Sequence, residues 1–363
     1  MEFLTDYGLF LAKTLTLVVA VVLVIGFAVA AGMKNKRQPE GQVEVRRLND
    51  HYDDIKDMME SALLDEEEYK AFIKQRKKQE KAEAKAKKAA RKSAASSSED
   101  GGQSPESKSG DEKSRVFVLD FDGDIRASAT DAMREEITAL LSVAEPGDEV
   151  VIRLESGGGM VHSYGFAASQ LKRIRDAGLT LTVCVDKVAA SGGYMMACVA
   201  DRILAAPFAI IGSIGVLAQM PNFHRLLKKH DIDYELITAG EYKRTLTMFG
   251  ENTRKGRQKF TEEIEDVHGL FKAFVAEHRS QVDIAEVATG EVWFGQQAID
   301  NKLVDELKTS DEYITSKYAT AQVFEMRYEL PKTLPQKLGV AAEAAVDRLL
   351  VKTWSRATQR FYS

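Results

Sequence analysis

From Val116 onward, short runs rich in Val, Ile and Leu alternate with helical patterns, and nothing else in the chain bounds its fold so narrowly. VFVLDFDGDI predicts a strand, DAMREEITALLSVA a helix ended by Pro146 and Gly147, and EVVIRLES a second buried strand. SGGGMVHSYGFAASQLKRIRDAG is a glycine loop running into a helix, and LTLTVCV is a third strand. RILAAPFAIIGSIGV, NFHRLLKKH and DIDYELIT continue the alternation, followed by a long charged helix over roughly Arg254 to Arg279 and then VWFGQQAIDNKLVDEL. Strands rich in Val, Ile and Leu separated by helices of about 10–15 residues predict an α/β domain with a mostly parallel sheet.

The 363 residues leave room for such a domain plus appendages, since one domain takes about 100–200 residues. A net charge of −5 offers no electrostatic case for nucleic acid. The two cysteines, Cys184 and Cys198, lie in apolar runs without metal-ligand spacing, so they read as buried thiols.

TLTLVVAVVLVIGFAVAAGM, Thr14 to Met33, carries no charge and is long enough to span a bilayer. Ala28-Val29-Ala30 resembles a signal-peptide cleavage site, but Glu2 and Asp6 precede the run and its length exceeds a usual signal core, so a retained anchor is expected. Lys34, Lys36, Arg37, Arg46 and Arg47 beyond it favour a cytoplasmic position for the bulk of the chain. Leu48, Tyr52, Ile55, Met59 and Leu63 recur at helical spacing, and then KQRKKQEKAEAKAKKAARK and SAASSSEDGGQSPESKSGDEKS read as a solvated, partly disordered spacer. The chain thus divides into an anchor over 1–33, a charged spacer over 34–114, a folded domain over 115–310 and a C-terminal extension over 311–363. In that extension Leu338, Ala342, Val346 and Leu349 mark an amphipathic helix expected to pack on protein.

Two places invite chemistry. Ser156-Gly157-Gly158-Gly159 lets backbone approach a ligand, or is a plain strand–helix turn; it is neither a Walker loop nor GxGxxG. Ser191, in VAASGGYMMACVAD, is either a helix N-cap or a nucleophile, and as a nucleophile it needs a base. The hydrolase elbow GxSxG is absent, and of the six histidines only His162 lies near the glycine loop. Ser169 and Lys172 make a Ser-x-x-Lys pattern better explained by an exposed helix face. Lys243, in Gly240-Glu241-Tyr242-Lys243 after the strand-like DIDYELIT, is the remaining candidate base. It would have to be neutral near pH 7, a drop of about three units that costs roughly 4 kcal/mol of desolvation or like-charge repulsion.

RLESGGG, AASGGY, GSIGV, GEYK and GEVWFGQQAIDNKLVD occur in that order between Val116 and about Leu307. Together they resemble the signal peptide peptidase A family of serine–lysine peptidases, within the ClpP/crotonase group. The resemblance implies a ClpP/crotonase-like spiral of ββα units, here preceded by one transmembrane helix and a flexible spacer. It makes Ser191 the nucleophile, Lys243 the general base, and Gly158 with the Gly192 N–H the oxyanion hole, with Gly157 and Gly159 beside the substrate. No metal or cofactor is expected. Substrates would be peptides, including remnant signal peptides or membrane-associated chains, and the chain is expected to form homo-oligomers at the bacterial inner membrane. The family's outward-facing work opposes the cytoplasmic position favoured by flanking charge. Two departures stand out: Gly157 replaces the usual proline of the oxyanion loop, and Lys302 replaces a usual glycine before Leu303-Val304-Asp305. A catalytically silent scaffold of the same fold, or a crotonase-type acyl-CoA enzyme, are the alternatives; the second would need a carboxylate base.

Overall fold

The computed structural model describes residues 41–65, 67–76 and 114–330, with isolated positions 8, 9, 13, 14, 16, 78, 81, 82 and 85. The chain divides into a compact unit over residues 43–328 and a second unit formed by its two ends, 1–42 and 329–363. Apart from Thr14 and Thr16, the apolar run Thr14–Met33 lies outside the described residues, as does the helix expected after Pro335. Among the described residues no helix is long and apolar enough to cross a membrane.

In chain order the elements are β1 (Gln42–Arg47), α1 (Leu48–Leu63), β2 (Arg115–Gly123), α2 (Thr130–Leu141), β3 (Glu149–Ser156), α3 (Val161–Asp176), β4 (Thr180–Val185), β5 (Val188–Ala190) and α4 (Gly192–Ala197). Next come β6 (Arg202–Ala205), β7 (Ile210–Gly212), α5 (His224–Lys229), α6 (Arg254–His278), α7 (Ile284–Val287), β8 (Val292–Phe294), α8 (Gly295–Asp300), β9 (Glu306–Leu307), α9 (Ser310–Lys317) and β10 (Gln322–Glu329). The strands form one sheet in the order β1-β10-β2-β3-β4-β6-β9, with β5, β7 and β8 branching from β3.

Alternate residues of β2 and β3 supply two cores. Phe117, Leu119 and Phe121 with Val150, Ile152 and Leu154 meet Met133, Ile137 and Leu140 of α2 and Tyr164, Leu171 and Ile174 of α3. Val116, Val118, Val151, Cys184 and Leu204 meet Leu48, Tyr313 and Ile314 on the other face. Burial on both faces explains why the strands read as continuous apolar runs, each large side chain contributing about 1.5–3 kcal/mol. Both cysteines are free and buried, and burial pushes the Cys184 thiol up to about 12.

The stretch 43–63, inside the segment read as spacer, is built into this unit: β1 pairs with β10, and Asn49 bonds the Tyr318 and Ala321 carbonyls and the Val323 N–H. Likewise α9 and β10, from the extension, pack in and beside the main sheet.

The branch places the site. β3 pairs in parallel with β4 along Glu149–Arg153, but its last residue, Ser156, pairs with Ala189 of β5. β5 in turn pairs with β7, Val188 with Ile210 and Ala190 with Gly212. One strand end therefore brings the glycine loop beside the residue that comes after β5.

DIDYELIT is not a strand. Asp231–Thr238 is irregular and exposed, with Ile232, Tyr234, Leu236 and Ile237 open to solvent. Alternation alone cannot hold a strand without a paired neighbour to satisfy its backbone groups, and none of the sheet pairings includes this segment.

Candidate active site

Ser191 links β5 to α4 with φ 53° and ψ −119°. A non-glycine residue in such a region costs on the order of 1–3 kcal/mol and persists only where its surroundings dictate it. They do: the Ser191 N–H donates to the Gly212 carbonyl at 2.8 Å, and its own carbonyl accepts from Met195 N–H at 3.0 Å. The side chain makes no capping hydrogen bond. The hydroxyl is therefore not a helix cap, which removes the simpler of its two readings.

Small residues crowd this turn because large ones do not fit. A Cβ on Gly192 would lie 2.3 Å from Cγ of the Tyr164 ring, and one on Gly193 2.4 Å from the Ser156 carbonyl oxygen. Gly158, at φ 86°, has its bare Cα turned to the site: a Cβ there would come within 2.6 Å of the Gly192 nitrogen and 2.7 Å of Ser191 Cβ. Gly159 backs onto the Ile125 carbonyl, which accepts from Met160 N–H at 2.8 Å, whereas Gly157 has open space. Gly192 N–H has no backbone acceptor among the described residues. Gly158 N–H, by contrast, donates to Ser156 Oγ at 3.1 Å.

The structure thus brings Ser191, Gly192 and Gly158 together, flanked by Gly157 and Gly159. Among the described residues no hydrogen bond or ion pair joins Lys243 to them. Lys243 is exposed in a turn closed by its own N–H to the Gly240 carbonyl at 3.3 Å, and its side chain has no hydrogen-bond or ion-pair partner among the described residues. The turn is fastened to the start of α6 instead: Glu241 pairs with Lys255, and Lys255 and Lys259 lie over the Tyr242 ring at 5.8 and 5.6 Å. The surrounding segment exposes Leu217, Met220, Phe223, Leu226, Ile237 and Phe249, Ile237 at 92%.

The rival pairs read from the sequence do not assemble. Ser169 Oγ donates within its helix to the Gly165 carbonyl, Lys172 pairs with Asp176, and His162 is exposed. Among the described residues no three His, Cys, Asp or Glu side chains converge as a metal site requires. Two hollows, of about 550 Å³ beside Lys172, Arg175 and His278 and about 320 Å³ between Asp120, Arg153 and Asp186, lie away from Ser191.

Sequence reasoning passed over Tyr164. It sits at a core position of α3, where a tyrosine is indistinguishable from any large apolar residue, yet it forms the floor under Gly192 and bonds Ser156.

A model of the N-terminal part of peptidase family S49 matches residues 2–171, and one of peptidase family S49 itself matches residues 173–323. Over 360 residues the chain is 49% identical to the Probable protease SohB of Haemophilus influenzae, covering 99% of both chains. The chain belongs to peptidase family S49. It is also 45% identical to the Probable protease SohB of Buchnera aphidicola subsp. Acyrthosiphon pisum, over 97% of this chain and 98% of that one. Protease 4 of Haemophilus influenzae is 27% identical over 55% of this chain and 34% of its own length. Two solved structures of the 1510-N membrane-bound stomatin-specific protease, one in complex with a substrate peptide, are 15% and 14% identical, with TM-scores of 0.39 and 0.37. They cover 59% and 62% of this chain and 97% and 96% of theirs.

Proposed function

We propose that this S49 family member is a membrane-anchored serine endopeptidase in which Ser191 is the nucleophile and Lys243 the general base. The observation that carries the reading is the strained Ser191 backbone, whose hydroxyl is excused from capping and stands beside the bare Cα of Gly158 and the Gly192 N–H, which has no backbone acceptor among the described residues.

Ser191 Oγ adds to the carbonyl carbon of the scissile peptide bond as its proton passes to neutral Lys243 Nζ. The carbonyl oxygen becomes an oxyanion held by Gly192 N–H, in a hole lined by Gly158, with Gly157 and Gly159 along the substrate backbone. Collapse breaks the C–N bond, the proton moves from Lys243 to the departing amine, and water hydrolyses the acyl-serine by the same route in reverse. No metal or cofactor takes part. The mechanism requires Lys243 Nζ within hydrogen-bond reach of Ser191 Oγ, in a site closed to water. Exposed apolar residues from Leu217 to Phe249 suit that segment to packing on another copy, in keeping with a homo-oligomer. The branching of β5 and β7 from β3 supports a ClpP/crotonase-like spiral. The Thr14–Met33 run serves as the inner-membrane anchor, with residues 115–310 as the catalytic domain.

The exposed Lys243 also fits the second reading, a scaffold of the same fold without turnover. Dye-labelled casein and a fluorophosphonate probe, applied to the full chain in detergent, separate the two. The wild type is expected to digest casein and take the label. Ser191→Ala should lose both, and Lys243→Ala and Lys243→Arg should lose digestion, since guanidinium holds its proton at any working pH. A wild type that neither digests nor labels would leave the scaffold.

A further inference from the structure

A buried chain of hydroxyls lies behind the glycine loop, and its direction is fixed by counting protons. The Asp124 carbonyl can only accept, so Tyr164 Oη, 2.7 Å away, gives it its single proton. Ser156 Oγ lies 2.5 Å from that phenol oxygen and 3.4 Å from the Gly123 carbonyl, so its proton goes to Tyr164. Ser156 Oγ is then left as the acceptor for Gly158 N–H at 3.1 Å. The result is a one-way relay from Gly158 through Ser156 and Tyr164 to Asp124.

The far end is itself fixed. The Asp124 carboxylate accepts from the N–H groups of Arg126 and Ser128 and from Ser128 Oγ, which hold it below the usual carboxylate range, Ser128 contributing most. Burial pushes the Tyr164 phenol up, so it stays protonated and able to donate. At the near end three consecutive glycines have more backbone freedom than any other tripeptide, and a Cβ on Gly157 would meet no atom within 4 Å. The Ser156 hydroxyl holds the loop over Gly192 from behind at Gly158, while the Ile125 carbonyl, accepting from Met160 N–H at 2.8 Å, holds its far end.

We propose that Ser156 and Tyr164 are positioning residues that hold the oxyanion loop against Gly192 for catalysis. This rests on the serine-peptidase reading above. Tyr164→Phe deletes one link while keeping the ring under Gly192, and Ser156→Ala deletes the next. The test uses the full chain in detergent, with dye-labelled casein for kcat and KM and N-acetyl-leucyl-leucyl-norleucinal as a probe that forms a hemiacetal with the serine.

Each variant is expected to lower kcat about 10-fold with KM changed less than about 2-fold, because a misplaced loop costs the transition state rather than substrate binding. Aldehyde affinity should fall by the same factor, and the double variant should lose no more than the worse single one, as two links of one relay must. Amide exchange in the 154–161 peptide should quicken in all three. Unchanged kcat and aldehyde affinity with only a lower melting temperature would overturn the proposal, as would single losses that multiply in the double variant. Should Tyr164→Phe not fold, Ser156→Ala carries the same comparison. Ser191→Ala separates the two levels: if it still digests casein, the serine reading fails and the positioning role with it. If it is dead while the relay variants run at wild-type rate, the positioning role alone is lost.

Discussion

The ring of Tyr164 lies so close under Gly192 that a methyl group there would sit 2.3 Å from Cγ, well inside contact distance. Tyr164 cannot retreat, because it is fully buried and tilted edge-on against Phe121 with ring centroids 6.5 Å apart. Gly192→Ala is therefore expected to destabilise the fold by about 3 kcal/mol, the upper range for overpacking a core. Urea unfolding measures this; a loss under about 1 kcal/mol would mean that the ring has room to move.

Ser191 trades stability for position. Its φ of 53° with ψ −119° costs about 1–3 kcal/mol that glycine does not incur, against about 0.5–1 kcal/mol for glycine's greater freedom in the unfolded chain. Ser191→Gly should raise the unfolding free energy by about 1 kcal/mol while abolishing hydrolysis. Ser191→Ala should stay within about 0.5 kcal/mol of wild type, since no capping bond is lost. A Ser191→Gly variant less stable than Ser191→Ala would contradict the strain.

Lys302 offers the same test away from any chemistry. It holds φ 58° in the turn between α8 and Leu303, where its N–H donates to the Ile299 carbonyl at 3.0 Å. Its side chain is exposed and has no ion pair among the described residues. Lys302→Gly should stabilise the protein by about 1 kcal/mol with activity unchanged. Thermal melting of the two forms side by side decides it.

Glu149 gives the fold an acid limit. Burial alone would raise its carboxyl, but hydrogen bonds from Lys317, Tyr313 and Thr182 outweigh it and hold the group below its ordinary 4.5. A carboxyl depressed in the folded state contributes stability that is complete above the unfolded value and disappears as pH falls through the folded one. Glu149→Gln should thus cost about 2 kcal/mol at pH 7, and the difference from wild type should shrink steadily below pH 4.5. Denaturant midpoints taken across that range test the sign; a gap that widened on acidification would refute it.

The sequence carried the strands and helices of the core well, because burial on both faces of a parallel sheet writes itself into the chain as apolar runs. Glu149–Ser156 stood out for that reason. DIDYELIT had the right alternation and no partner, and pairing is not written in a single segment. The glycines and Ser191 were legible as a motif. What held them was not: Ser156 and Ala189 are brought together only by the branching sheet, and Tyr164 looks like one more core residue until its hydroxyl is seen to have somewhere to go.

The branch at the end of β3 has an evolutionary corollary. Because Glu149–Arg153 run beside one neighbour and Ser156 beside another, the strand acts as a ruler between the main sheet and the Ser191 turn. Lengthening or shortening it by one residue would turn every later side chain to the opposite face and carry the glycine loop about 3.3 Å past Ser191. Insertions and deletions can therefore accumulate in the turn after α2, but not inside β3. Descendants of this chain can change the length of that turn, but not the length of the ruler.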